Sequence, residues 1–321
     1  MKRKIQSIII MLLLIFITFI FFIIPKDIME SVTFSISVWK DAIIPSLFPF
    51  FMISELLINY GFIELITELT KNIMSKYFHL PGSASFVLVG SMISGFPSSA
   101  KYIIELLTNK QINIKEAEYL LKFCHFSNPM FVIGTIGTLL LNNKTIGILI
   151  FIVHFLTNFI IAFIYKPKHN YYTKEKISII NAINKMHKKR ISNNLYFSKI
   201  LSQSVFKTIK TLLLLLGIIT TFIVAQTILN EIFQLEYITG AIVGGILEMT
   251  TGIKSITNTN LPLNITASII AFFLSFGGLS IHMQVMSILS NTNIEYIPYL
   301  ISRIIHGLCS AAIVFMILSF I

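Results

Sequence analysis

The sequence predicts an all-α polytopic membrane protein, and three observations lead to this fold class. Hydrophobic residues make up 55% of the 321 residues and charged residues only 12%, about half the charged fraction of a soluble domain. The apolar residues fall into runs long enough to span a bilayer, and these runs recur along the whole chain. Lysine and arginine cluster between the runs, as the positive-inside rule expects of cytoplasmic loops.

Composition and motifs argue against other classes of protein. The formal net charge of +11 does not indicate nucleic-acid binding, because no basic face with interleaved aromatic residues accompanies it. Cys124 and Cys309 lie inside apolar stretches without metal-type spacing, so we interpret them as buried apolar residues. No Walker A, HExxH or GxSxG motif occurs. The sequence predicts no enzyme, no metal site and no cofactor, and leaves coupling to protons or sodium open.

The first element is an uncleaved signal anchor. Met1–Lys4 is basic, and the apolar run Ile5–Ile24 that follows is long enough to span a bilayer and has no A-x-A cleavage site after it. Residues 61–79 alternate polar and apolar side chains at helical spacing, which predicts a helix along the membrane interface. The remaining apolar segments lie approximately at 40–60, 84–107, 116–141, 144–165, 203–230, 235–256, 262–290 and 297–321.

The loop 166–200 determines the topology. Glu175 is its only acidic residue, so we expect the loop to be cytoplasmic. With the N-terminus also inside, the loop reaches the cytoplasm only if 84–107 enters and leaves the membrane on one side. The basic residues of the loop are Lys166, Lys168, Lys174, Lys176, Lys185, Lys188, Lys189, Arg190 and Lys199.

The segment 84–107 has the sequence of a re-entrant hairpin. Residues 95–100 (GFPSSA) lie at its centre, where proline removes a backbone donor and glycine relaxes the chain. Each flank is about ten residues, or roughly 15 Å of helix, half of an apolar core about 30 Å thick. A single proline-kinked spanning helix is the alternative.

The second half of the chain repeats this order of elements in the opposite orientation. Gly244, Gly245 and Gly252 loosen 235–256, the second expected hairpin. Breaks at 127–129 (SNP) and 276–278 (FGG) interrupt 116–141 and 262–290. We therefore predict an inverted repeat, as in many secondary transporters whose substrates bind at paired broken helices. The predicted regions are a signal anchor and linker (1–39), a first repeat (40–165), the basic loop (166–200) and a second repeat (201–321).

Glu248 is the strongest candidate for a functional residue. It lies near the middle of the second hairpin, and an ionisable group at that depth is costly. A structural hydrogen bond at the hairpin tip is the alternative role. Shifting the sequence by 153 residues places Lys254 on Lys101 and Glu248 on Gly95. Two symmetric lysines would suit an anionic substrate, whereas snorkelling to the headgroups is the alternative.

Polar residues coincide with the breaks in both halves. His125 precedes the SNP break and is a candidate proton sensor, whereas His282 and His306 are weaker candidates. Arg303 and the other late charges are expected at membrane ends, solvated at the interface. The candidate binding residues are Gly95, Pro97, Ser98, Ser99, Lys101, Ser127, Asn128, Glu248, Thr250, Thr251, Lys254, Gly277 and Gly278.

Two motifs in this order resemble a known family. Residues 94–107 (SGFPSSAKYIIELL) and 117–137 (AEYLLKFCHFSNPMFVIGTIG) are similar to the YlbJ-type sporulation integral membrane proteins, which carry the gate or nucleoside-recognition domain. Residues 45–57 (PSLFPFFMISELL) and 244–252 (GGILEMTTG) extend the resemblance, which covers roughly 40–320.

The resemblance implies a membrane protein of endospore-forming bacteria, in the mother cell's membrane around the forespore, that moves dipicolinate toward the spore. It also implies kinship with concentrative nucleoside transporters, in which the two hairpins and two broken helices bind the substrate. The expected function is secondary transport of a small anionic aromatic acid. Its expected partners are the bilayer and candidate sporulation membrane proteins. A nucleoside or nucleobase carrier and a non-transporting membrane scaffold are the alternatives.

Overall fold

The computed structural model describes residues 2–168 and 176–320, and every regular element in these ranges is a helix. Lys174 and Glu175, which belong to the basic loop, lie outside the described residues. The α-helices are α1 (Lys2–Ile23), α2 (Pro25–Val38), α3 (Ile44–Asn59), α4 (Phe62–Ile73), α5 (Ser85–Ser94), α6 (Ser98–Thr108), α7 (Ile114–Phe123), α8 (Lys144–Ile164), α9 (Ile179–Ser192), α10 (Phe197–Phe233), α11 (Tyr237–Leu247), α12 (Met249–Thr257), α13 (Leu263–Phe276), α14 (Gly278–Leu289) and α15 (Tyr296–Ser319). Three π-helical stretches cover Trp39–Ile43, Met74–Phe78 and Met130–Leu140, and a 3-10 turn covers Gly82–Ala84.

Long apolar helices dominate the fold. Within the described ranges, six helical stretches are long and apolar enough to cross a membrane: Lys4–Ile23, Pro25–Asn59, Lys144–Ile164, Phe197–Phe233, Leu263–Leu289 and Tyr296–Ser319. Many of their isoleucines, leucines and phenylalanines are exposed, as expected where lipid rather than water covers the surface. The predicted all-α polytopic fold is confirmed.

The N-terminal region differs from the anchor and linker expected before residue 40. Helix is continuous over Pro25–Asn59. Pro25 is tolerated there because it occupies the first turn of α2, where its missing N–H costs nothing. This stretch packs along α10. The hydroxyls of Ser31 and Thr227 lie 2.6 Å apart, and Trp39 Nε1 donates to the Leu212 carbonyl at 2.8 Å. The two helical stretches therefore run antiparallel.

The basic loop also contains structure that was not predicted, helix α9. Its Lys185 Nζ lies 2.6 Å from a carboxylate oxygen of Glu68 on α4. Gly61, in the left-handed conformation before α4, lies so close to Met186 that an added Cβ would come within 2.5 Å of its carbonyl oxygen. The helix expected within 61–79 is present as α4, and α9 is anchored to it.

All four predicted breaks are present. Helix ends at Ser94 and restarts at Ser98, and it is interrupted between Phe123 and Met130, at Glu248 and at Gly277. The pairs α5–α6 and α11–α12 each fold back on themselves. An added Cβ on Gly252 would lie 2.1 Å from the Gly245 Cα, although seven residues of straight helix would separate them by about 10 Å. The main apolar core lies among these broken helices, α8 and α15.

Candidate functional site

The two helix breaks of the first half pack directly against each other. Gly95 ends α5 with a φ of +76°, and an added Cβ there would lie 2.8 Å from the Asn128 backbone nitrogen. Phe96 N–H donates to the Phe126 carbonyl at 2.8 Å. Asn128 in turn caps the π-helix, because its Oδ1 accepts from Met130 N–H at 2.9 Å. Glycine is therefore required at Gly95 both for its backbone conformation and for this close approach.

Glu248 caps the helix that follows the second-half break. It is 2% exposed, and its Oε2 accepts from the backbone N–H of Thr251 at 2.9 Å. Its Oε1 accepts from the Thr250 hydroxyl at 3.1 Å. This carboxylate therefore satisfies a donor at the N-terminus of α12 and lies at the positive end of that helix.

The break at Gly277 and Gly278 connects both halves. Both glycines have positive φ, +94° and +68°. An added Cβ on Gly278 would lie 2.9 Å from the Met249 backbone nitrogen, next to Glu248. The corresponding atom on Gly277 would lie 2.8 Å from His125 Nε2. His125 lies two residues before the SNP break. The contacts of Gly277 and Gly278 therefore connect the four breaks into one contiguous cluster.

A small cavity of about 40 Å³ lies within this cluster. One water needs about 10–15 Å³, so the cavity holds a few waters at most in this conformation. The Ser127 hydroxyl and Gln284 Oε1 are buried without a hydrogen-bond partner among the described residues. The lining residues are Ile43, Leu47, Phe96, Ser127, Asn128, Phe131, Leu215, Ile219, Glu248, Met249, Thr250, Ile281 and Gln284.

The lining combines apolar walls with a few polar groups, as small-molecule sites do. Buried polar atoms without partners are rare in folded proteins, and two of them facing one cavity indicate groups available to a ligand. Among the described residues no three His, Cys, Asp or Glu side chains lie together as a metal site. The chemistry available here is hydrogen bonding to a polar ligand.

The candidate residues divide into three groups. Four of them line the cavity: Ser127, Asn128, Glu248 and Thr250. A second group shapes the breaks without lining the cavity: Gly95, Pro97, Ser99, Thr251, Gly277 and Gly278. The third group lies outside the cavity lining: Ser98 and Lys101 line another, smaller cavity, and Lys254 contacts Phe34.

The two lysines do not flank the cavity as expected. Lys101 Nζ donates to the Thr211 hydroxyl on α10 at 2.9 Å. Lys254 Nζ lies 4.5 Å from the ring centroid of Phe34 on α2. Each lysine follows its break by about one turn, and the rotation of that helix directs it toward a neighbouring helix instead of the centre.

Sequence reasoning missed Gln284 and most of the apolar wall. Gln284 lies inside the apolar segment 262–290. A long polar side chain within a predicted membrane span was the signal that could have identified it. The apolar residues Leu215 and Ile219 come from the middle of α10, where nothing in a uniformly apolar run distinguishes them.

Arg303 is fully buried, which corrects the expectation that it lies at a solvated membrane end. Its guanidinium donates to the Lys122 carbonyl, to Asn158 Oδ1 at 3.4 Å and to His306 Nδ1 at 2.9 Å. No carboxylate pairs with it in the described part of the chain. Because Arg can only donate, His306 is neutral with its proton on Nε2, which donates to the His154 carbonyl.

Comparison with known proteins identifies a relative over almost the full length of the chain. The sequence is 31% identical over 339 residues to "Sporulation integral membrane protein YlbJ" of Bacillus subtilis (strain 168), covering 98% of this chain and 83% of the relative. No family profile matches, and no solved structure matches. The relationship and the long apolar helices together make the chain a multi-pass membrane protein.

Proposed function

The chain belongs to the family of the sporulation integral membrane protein YlbJ, and from this premise we propose that it is a secondary transporter of a small anionic aromatic acid. Dipicolinate, moved toward the forespore during sporulation, is the proposed substrate. The supporting observation is the cluster of four helix breaks around one small cavity whose lining residues carry unpartnered polar groups. Non-helical backbone deep in a membrane protein is tolerated where it lines a cavity.

The proposal includes an inverted repeat with two re-entrant hairpins. In the first half the glycine Gly95 approaches the backbone of Asn128, and in the second half Gly278 approaches Met249 beside Glu248. In both halves a hairpin break thus packs against a helix break through one glycine. The cavity-lining Leu215 lies at the middle of α10, which is consistent with a site near the midplane.

Alternating access would move the hairpin-bearing elements relative to the rest. The small cavity would have to widen during such a cycle, because in this conformation it is too small for an aromatic acid. The Ser127 hydroxyl and the side-chain N–H groups of Asn128 and Gln284 would donate to the carboxylates, whereas the unpartnered Gln284 Oε1 can only accept. An ionised Glu248 would repel a dianion, so either it is protonated during binding or it serves only as the cap of α12.

Uptake of labelled dipicolinate into proteoliposomes, with and without a pH gradient, tests the proposal. Saturable uptake supports it. Gln284→Leu should lower uptake strongly without lowering stability. The buried Gln284 Oε1 has no hydrogen-bond partner among the described residues, and replacing an unsatisfied polar atom by an apolar group costs little folding free energy. Gln203→Leu, at an exposed position of α10, is the matched control and should transport normally.

Two results would overturn the assignment of substrate. No dipicolinate uptake by folded protein in sealed vesicles excludes it, and exchange of labelled uridine in the same vesicles would establish a nucleoside carrier. Absence of both activities would favour a non-transporting membrane scaffold. Normal uptake by Gln284→Leu would remove this cavity as the binding site.

A further inference from the structure

A large polar cleft opens between α3, α6, α9 and α10. Its main chamber has a volume of about 600 Å³, and a second chamber of about 470 Å³ shares Glu105 and Lys189 with it. We call the two chambers the vestibule. Six lysines against three glutamates give its lining a formal charge of +3: Lys101, Lys185, Lys188, Lys189, Lys207 and Lys210 against Glu55, Glu64 and Glu105.

The vestibule narrows to a polar constriction of about 20 Å³, which we call the neck. Ser54, Ser94, Ser98 and Thr208 supply its hydroxyls. The hydroxyls of Ser54 and Thr208 are buried without a hydrogen-bond partner among the described residues. These two unpartnered hydroxyls, one on α3 and one on α10, are available to a polar ligand that passes through the neck.

The vestibule, neck and central cavity lie next to one another along three elements. On α10, the vestibule and the neck overlap, since Lys207 and Thr211 line both, and the cavity-lining Leu215 and Ile219 follow them. Positions 208 and 215 are separated by about 10 Å of helix. The neck therefore lies within about two helical turns of the cavity.

The other two elements show the same order. On α3, Asn59 lines the vestibule, Ser54 the neck and Leu47 the cavity. In the first broken pair, Glu105 lines the vestibule and Ser98 the neck, whereas Phe96 lines the cavity. Phe96 lies two residues before Ser98, and its ring stacks on His125 with centroids 4.8 Å apart.

We propose that the vestibule and neck are the access route by which an anionic substrate reaches the central cavity from the face that carries α9. This inference rests on the proposed transport function and adds the direction and the charge selectivity of access. Lys101 and Lys207 line both the vestibule and the neck, and Lys207 Nζ lies 3.1 Å from a carboxylate oxygen of Glu55 in the same lining. The excess of lysines over glutamates would concentrate anions, since a charged cleft raises local ligand concentration and on-rates by about ten-fold or more. The two lysines act as specificity-determining residues outside the binding cavity.

Charge-selective thiol labelling of the full-length protein tests the route without requiring transport. Ser54→Cys is introduced with Cys124 and Cys309 replaced by alanine, and the protein is reconstituted in vesicles of known orientation. Two methanethiosulfonates, one carrying a sulfonate and one a trimethylammonium group, are applied from each side. Rates are divided by those of the same reagents with 2-mercaptoethanol.

We expect labelling from the α9 side only, with a normalised rate about ten-fold higher for the sulfonate reagent. Combining Lys101→Gln with Lys207→Gln should abolish this preference. Lys26→Gln is the matched control and should leave the preference for the sulfonate reagent unchanged. Lys26 lies near Ser31 of α2, which contacts Thr227, and Thr227 is about 30 Å along α10 from Lys207.

Labelling by neither reagent, labelling only from the opposite side, or equal normalised rates would overturn the inference. Size-exclusion chromatography and thermal melting establish that the cysteine variant is folded. The outcomes separate the two proposals. Anion-selective labelling without any uptake overturns transport alone, whereas saturable uptake without labelling of Ser54→Cys overturns this route alone.

Discussion

The backbone N–H of Ser127 donates a 3.0 Å hydrogen bond to Nε2 of His154. Since Nε2 accepts this bond, the His154 proton is on Nδ1, which donates to the Ser275 hydroxyl at 2.9 Å. Ser275 donates onward to Ser310. A side chain on α8 thus joins the SNP break of the first half to α13 and α15 of the second half.

His154→Ala should destabilise the protein and lower uptake together. It leaves the buried N–H of Ser127 without an acceptor, which costs about 1–3 kcal/mol, and it removes the connection between the halves. Thermal melting in detergent and the uptake assay measure the two effects. His187→Ala, at an exposed position of α9, is the control. Unchanged melting of His154→Ala would contradict the proposed role of this bond.

Glu248→Gln distinguishes a proton-coupling role from a purely structural one. A glutamine retains an oxygen that can accept from the Thr251 N–H, so the variant should fold, whereas Glu248→Ala should lose the cap at a cost of about 1 kcal/mol. If Glu248 carries the coupling proton, uptake by Glu248→Gln becomes independent of pH. Glu236→Gln, at the exposed start of α11, should keep the wild-type pH profile. A wild-type profile in Glu248→Gln would leave Glu248 only its role as a helix cap.

Gly252→Ala should prevent correct packing of α11 on α12. The added Cβ would lie 2.1 Å from the Gly245 Cα, a backbone atom that cannot rotate away, and overpacking of this kind costs typically 1–3 kcal/mol or more. The yield of monodisperse protein and its melting temperature measure the effect. Gly217→Ala is the matched control, because no atom lies within 4 Å of its Cβ position. The control should be stabilised by about 0.5–1 kcal/mol, and equal behaviour of the two variants would refute the close-packing argument.

The positions of the helix breaks were predictable because their causes are local. Glycine with positive φ at Gly95 and Gly277, proline at Pro97 and Pro129, and a capping carboxylate at Glu248 act within one turn of the chain. Their convergence on one cavity was expected because many secondary transporters bind substrate at paired broken helices.

The direction of side chains beyond the breaks was not predictable. Lys101 and Lys254 occupy equivalent sequence positions, yet the rotation of each helix about its axis directs them to α10 and α2. The burial of Arg303 was missed for a related reason. His306 lies three residues on in the same helix, but Lys122 and Asn158 come from two other helices, and no sequence spacing places these two beside Arg303.

The attachment of α9 to α4 should depend on pH through Glu68. This carboxylate accepts from Lys185 Nζ at 2.6 Å and from Lys71 Nζ at 2.7 Å, and both hydrogen bonds, that from Lys185 first, hold the pKa of Glu68 below its usual value. A lowered carboxyl pKa in the folded state contributes stability that is complete above the unfolded value of about 4.3. That contribution is lost as the pH falls through the lower folded-state pKa.

Hydrogen exchange of α9 measures this attachment. Lys185→Ala should speed exchange across Ile179–Ser192 by about two- to five-fold, equivalent to ~0.5–1 kcal/mol for a partly exposed ion pair, since the Lys185 side chain is 59% exposed. Wild-type protein should approach the same change as the pH falls from about 4.3 through the lower folded-state pKa of Glu68, after correction for intrinsic exchange rates. Lys188→Ala, an exposed lysine on the same helix, should not. Exchange in Lys185→Ala equal to that of the wild type would mean that apolar packing of Met186 on Gly61, and not the ion pair, holds α9 in place.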